Sequence, residues 1–145
     1  MRWRMATPGS TLLRTLCCLV AMTPWAGGQR ALCSREAVAD LQSLQSNISG
    51  NRDNCTLYTA NVSDYKQECP NSTLSCFIEE LGVLILEFGH TRTNVSSKLL
   101  RRLHRLNTKK DQKADCPQCE AHEEQPPWEF LTALLSVLQS INDSC

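Results

Sequence analysis

Apolar residues recur with a period near 3.6 in four separate stretches of this chain, with polar, turn-rich sequence between them. The last stretch is the most regular. Phe130, Leu131, Leu134, Leu135, Val137, Leu138 and Ile141 fall on one broad stripe, and Gln139 lies off it, towards solvent. Pro126-Pro127 interrupts any helix before it, so the spacing predicts a helix beginning near Trp128. The first stretch, Ser34 to Ile48, keeps Ala37, Val38, Leu41, Leu44 and Ile48 at helical spacing, with Ser34 as N-cap and Gly50 as stop. Asp40 sits at the margin of that stripe, and by residue type alone it reads as a solvated acid on an exposed edge.

The second stretch, Ser72 to Phe88, carries the widest apolar surface: Leu74, Phe77, Ile78, Leu81, Leu84, Ile85 and Phe88. Glu79, Glu80 and Glu87 interrupt it. Glu80 and Glu87 are seven apart and so on one side, with Val83 between them. Gly82 weakens this helix, which points to a close approach by a neighbour, and Gly89 suits a left-handed end. The third stretch, Thr93 to Lys109, places Val95, Leu99, Leu103 and Leu106 on one stripe with Leu100 beside it. Lys98, Arg101, Arg102, Arg105 and Lys109 fall largely opposite. A solvated basic face is the ordinary reading, and a patch for sulfated glycans such as heparan sulfate, or for an acidic receptor, is the sharper one.

The connections are unequal. Asn51 to Pro70 is long and polar, although Thr56-Leu57-Tyr58-Thr59 can run extended, and Tyr58 there is either a packed plug or a side chain presented to a partner. Lys110 to Pro127 is also long, basic at first and then acidic, whereas the link between the second and third helices is short. Long crossovers join parallel neighbours and short links join antiparallel ones. The expected fold is therefore all-α: a four-helix bundle in up-up-down-down order.

The opening residues change the picture of where the chain goes. Arg2 and Arg4 precede an apolar run from Leu12 to Met22, which is too short to cross a bilayer, and Ala26-Gly27-Gly28 offers small residues for cleavage. A signal peptide over 1–28 and a secreted, extracellular domain over 29–145 follow as expectations, with no membrane span. Removing 1–28 takes three arginines and no acids from an even balance of 15 and 15, leaving a net charge of −3. Nucleic acid is not suggested as a partner.

Seven cysteines remain, at 33, 55, 69, 76, 116, 119 and 145, and in an oxidising compartment they read as disulfides. Cys69 and Cys76 are seven apart at the start of the second helix and so share a face, which a loop carrying the close pair Cys116 and Cys119 can cross. The expected bonds are Cys69–Cys116 and Cys76–Cys119, and the first of these loops is worth roughly 4 kcal/mol in the chain-entropy picture. If the first and fourth helices run antiparallel, Cys33 meets Cys145 and Cys55 is left odd. Six Asn-x-Ser/Thr sites, at Asn47, Asn54, Asn61, Asn71, Asn94 and Asn142, fit a glycosylated secreted protein.

Enzyme readings fare less well. Cys116-Pro117-Gln118-Cys119 has thiol-oxidoreductase spacing, but it lacks the strand before it and the helix directly after it that such sites need. A four-cysteine zinc site is disfavoured by the seven-residue spacing of the other pair. His90, His104 and His122 are scattered, with no nucleophile to serve. No cofactor or metal is implied.

Several of these residues together resemble the interleukin-2 and interleukin-15 family of helical cytokines, on its interleukin-15 side. They are Asp40-Leu41, the string TLYT at 56–59, Cys69 and Cys76 with Phe77 and Glu80, Val83, Glu87, CPQCE at 116–120, Glu129-Phe130-Leu131, and Gln139 with Asn142. The resemblance implies signalling by bridging receptor chains. It implies that Tyr58, Glu80, Val83 and Glu87, edged by Glu120 and Glu124, meet an alpha receptor chain. It likewise implies that Asp40 meets a shared beta chain and Gln139 the common gamma chain. The basic third helix departs from the acidic and amide side chains of interleukin-15, as do Cys33, Cys55 and Cys145.

Overall fold

In the computed structural model the described residues are 33–48, 55–88 and 93–145, the side chains of Phe88, Thr93, Asn94 and Val95 excepted, and they belong to one unit, Cys33–Cys145. The expected signal peptide, Gly50, Gly89 and the Asn54 site lie outside them. Five α-helices are present among these residues: α1 (Arg35–Ile48), α2 (Val62–Gln67), α3 (Pro70–Phe88), α4 (Thr93–Leu106) and α5 (Pro127–Asp143). Two short strands, β1 (Leu57–Thr59) and β2 (Glu123–Gln125), form an antiparallel ribbon, and a 3-10 turn spans Cys119–Ala121.

Hydrogen bonds between helices fix their directions. Ser34 N–H donates to Asn142 Oδ1 at 2.8 Å and Gln45 Nε2 to Thr132 Oγ1 at 3.0 Å, so α1 and α5 are antiparallel. Arg102, near the end of α4, reaches Glu36 and Asp40 near the start of α1, and Asn71 at the start of α3 bonds Asn107 just past α4. Both α1 and α3 therefore oppose α4, which leaves α1 parallel to α3 and α4 parallel to α5. That is up-up-down-down order, with one crossover carrying β1 and α2 and the other carrying the 3-10 turn and β2.

The core follows the apolar stripes. Ala37, Leu41, Leu44 and Ile48 of α1 meet Leu74, Phe77, Ile78, Leu81 and Leu84 of α3, Leu99, Leu103 and Leu106 of α4, and Phe130, Leu131, Leu134, Val137 and Leu138 of α5 in one cluster. Phe77 and Phe130 pack with ring centroids 5.4 Å apart and planes inclined by 46°. The first crossover adds Leu57, Ala60 and Tyr65 to this cluster, although its composition reads as a polar connection. Tyr65 is the plug there, with burial pushing its phenol pKa up, and Lys109 Nζ lies 5.8 Å from its ring centre.

Helix ends depart from the expected ones for local reasons. Pro70 opens α3 two residues early, because a residue with fixed φ and no N–H suits the first helical position. The next two amides of α3, those of Asn71 and Ser72, donate to Asp111 Oδ1 at 2.7 and 3.0 Å, and the Ser72 hydroxyl donates to Asp111 Oδ2. A carboxylate from the second crossover thus caps this helix. At the other end, α4 stops at Leu106 and not at Lys109, as Thr108 N–H turns back to Leu106 O and Asn107 Nδ2 donates to Ser75 Oγ. Ser34 stands just before α1, but its hydroxyl donates to Leu138 O of α5 at 2.6 Å and so ties two helices together.

Gly82 does not mark a close approach: a methyl group built there meets nothing within 4 Å. Gly82→Ala should therefore raise stability by about 0.5 to 1 kcal/mol, read as a higher denaturation midpoint. A lower midpoint would show that α3 needs the glycine. For Asp111, partial burial raises the pKa, and the three hydrogen bonds from Ser72 and Asn71 together outweigh it, so the net shift is below the ordinary 3.8. The unfolded chain then takes up the proton first. The cap's contribution is complete above pH 3.8 and disappears as pH falls through the lowered value. Asp111→Ala should cost about 1 kcal/mol near neutral pH, with the gap from the native protein closing in acid; an equal gap at all pH values would exclude this account.

Candidate functional site

Three disulfides join Cys69 to Cys116, Cys76 to Cys119, and Cys33 to Cys145, with Cα separations of 5.8, 5.2 and 5.9 Å. These are the pairs drawn above from helical spacing and antiparallel packing. Cys116 and Cys119 are bonded to different partners, so the C-x-x-C pair is not a dithiol and the oxidoreductase reading falls with it. Cys55, half-buried against the core, lies outside these three bonds.

Cys76–Cys119 holds the 3-10 turn against α3, and the turn leads directly into β2. β2 pairs with β1 in a register that sets Leu57 opposite Gln125, Tyr58 opposite Glu124 and Thr59 opposite Glu123. One turn beyond Cys76 on α3, Glu80 accepts the Tyr58 N–H at 2.6 Å through Oε2, which fixes β1 to the helix. The Thr56 hydroxyl donates to Glu124 Oε1 across the ribbon. Tyr58, Glu80, Glu120 and Glu124 therefore come from three distant stretches of chain to one place. Val83, 44% exposed, and Glu87, exposed, continue that side along α3.

The surface is acidic and partly apolar. Glu79, Glu87, Glu120, Glu123 and Glu124 are exposed, and Leu86, next to Glu87 on α3, is 83% exposed, so part of the apolar surface of α3 faces out of the core. Glu80 is only half exposed and is already engaged by the Tyr58 backbone, a role that its position in the sequence did not disclose. Tyr58 itself is half-buried. Just before β2, His122 Nδ1 lies 3.9 Å from Asp64 Oδ2 of α2.

A second group of expected residues lies on α1, α4 and α5. Asp40 is not a solvated edge acid: its Oδ2 accepts Arg102 Nε–H at 2.8 Å, and Glu36 Oε1 accepts from Arg102 Nη1 at 2.6 Å. The Asp40 hydrogen bond is the main influence raising the Arg102 pKa, against an opposing effect of burial. Arg102 is thereby withdrawn from the basic face, where Lys98, Arg101 and Arg105 stay exposed, and Lys109 lies past the end of α4, near the Tyr65 ring. Gln139 is exposed on α5, one turn before the Asn142 that holds Ser34.

The glycan-acceptor asparagines divide by surroundings. Asn47 and Asn61 are exposed, whereas Asn71 and Asn142 are half-buried. In Asn71 the very nitrogen that a glycan takes, Nδ2, donates to Asn107 Oδ1 at 3.1 Å. Among the described residues no helix is long and apolar enough to cross a membrane, and no group of three or more His, Cys, Asp or Glu is placed to hold a metal ion.

A family model described as Interleukin 15 matches residues 13–142. Interleukin-15 of Ailuropoda melanoleuca is 31% identical over 105 residues, covering 70% of this chain and 64% of that protein. Interleukin-15 of Mus musculus is 30% identical over 103 residues, covering 69% and 62%. The chain thus spans somewhat under two thirds of the length of these relatives. Its helical bundle, stapled crossovers and sequence agree with one another, and the chain belongs to the interleukin-15 family.

Proposed function

We propose that this chain is a secreted, glycosylated cytokine that is captured by an alpha receptor chain and signals by bridging a shared beta chain and the common gamma chain. The observation that carries the reading is the convergence of Tyr58, Glu80, Val83, Glu87, Glu120 and Glu124 on one acidic surface, assembled by the ribbon and the Cys76–Cys119 bond. Clustered carboxylates around an apolar centre suit a basic receptor surface. They steer its approach, and Val83 and Leu86 supply area for burial once contact is made. Three disulfides fit the extracellular route that the leader suggests. Asn47 and Asn61 are the acceptors whose surroundings best admit a glycan.

In this reading Asp40 meets the beta chain and Gln139 the gamma chain, on a side of the bundle built from α1, α4 and α5. The alternative, retention on sulfated glycans through α4, draws on Lys98, Arg101 and Arg105, but it loses Arg102 to Glu36 and Asp40.

Glu87→Lys should weaken binding to a soluble alpha chain more than tenfold in a surface-plasmon titration, a loss of over about 1.4 kcal/mol. Glu80→Lys should weaken it at least as much, since it also frees the Tyr58 amide. Unchanged binding of Glu87→Lys would remove the acidic-surface reading. Gln139→Asp should leave alpha-chain binding intact and abolish signalling in cells that carry all three chains; normal signalling would dismiss the gamma-chain assignment.

A further inference from the structure

Helix α1 offers Asp40 to a partner only on terms set by its own neighbour. The Asp40 side chain is 20% exposed and Arg102 is 27% exposed, so the bond between them is partly desolvated, whereas Glu36 at 78% sits in water. An ion pair shielded in this way keeps more of its strength and is screened less by salt than one on open surface. The guanidinium is not free to wander. Its helix is anchored by Leu99, Leu103 and Leu106, all buried, and α1 is anchored opposite by Ala37, Leu41 and Leu44. The planar fork divides its donors, Nε to Asp40 and Nη1 to Glu36, so one cation ties down two acids of α1 at once.

We infer that Arg102 is the specificity-determining residue of the α1–α4 face: it withholds the Asp40 carboxylate, and a receptor chain that docks there must first displace the guanidinium. The inference rests on the reading that Asp40 meets a receptor chain, and it adds what governs that contact. The chemistry required of the partner follows. It must bring a cation or hydrogen-bond donor to Asp40 Oδ2 while Lys98, Arg101 and Arg105 stand exposed on the neighbouring helix and repel it. Removing Arg102 relieves both obstacles, since it frees the acid and subtracts one positive charge.

The test is a surface-plasmon titration of the soluble shared beta chain against the full secreted protein and its Arg102→Ala, Asp40→Asn and doubly substituted forms. Alpha-chain binding, which uses the acidic surface of α3 and the ribbon and neither Asp40 nor Arg102, serves as the control for folding. Arg102→Ala should tighten beta-chain binding by about threefold or more, the scale of a partly shielded ion pair, and Asp40→Asn in that background should reverse the gain. Arg102→Gln, which keeps most of the side chain, should act in the same direction and stands in if the alanine form loses alpha-chain binding. Unchanged or weaker beta-chain binding on removal of Arg102, with Asp40→Asn still harmful in that background, overturns the inference and leaves the receptor reading standing. An Asp40→Asn substitution without effect in the Arg102→Ala background overturns the receptor reading as well.

Discussion

Parallel neighbours in a bundle impose a cost that antiparallel ones do not: the chain must return the full length of a helix before the next can begin. Here that happens twice, between α1 and α3 and between α4 and α5, and the two return segments are long and polar. Left alone, each would be an entropic liability with few apolar contacts to hold it. The molecule resolves this by joining the two segments to each other and to α3. The β1–β2 ribbon pairs them, Cys69–Cys116 and Cys76–Cys119 bond the second to the start of α3, and Asp111 caps the same helix. Buried Leu57, Ala60 and Tyr65 then give the first segment an apolar footing.

This arrangement explains how much could be read from the residues alone. The four long helices were legible because each has to bury a stripe, and burial leaves a period of 3.6 in the sequence. The cysteine pairs were legible because seven residues on a helix return to the same face. What stayed hidden was whatever depends on a single polar atom meeting another far along the chain. Asp111 looks like any loop acid until the amides of Asn71 and Ser72 are placed against it. The stretch 56–59 read as extended and holds β1, but its partner β2 was hidden, since strands of three residues are too short to impose an alternation of their own. Helix α2 and the plug Tyr65 sit within a run of Asn, Asp and Ser whose composition argues for a connection. The pair Val62 and Tyr65, three apart, was the one apolar signal there, and it is too brief to carry weight alone.

The candidate site divides along the same line. Glu87 and Gln139, set by helical position and exposed, are where the sequence places them. Glu80 and Asp40 are different, because each carboxylate is partly occupied by the protein's own donors: a backbone amide of β1 in one case, the Arg102 guanidinium in the other. A carboxylate with one oxygen bound internally is held in orientation, and it also has less to offer an incoming partner. Helical pattern predicts on which side an acid stands, whereas its availability is decided by residues 22 positions away for Glu80 and 62 for Asp40.

The bond between Cys33 and Cys145 spans 112 positions and closes every helix of the bundle inside one covalent ring. Its bearing is mechanical. A pull applied to the backbone at Cys33 and at Cys145 passes straight across that sulfur link. No helix lies in the line of tension, so the bundle can be tugged by its ends without being unravelled.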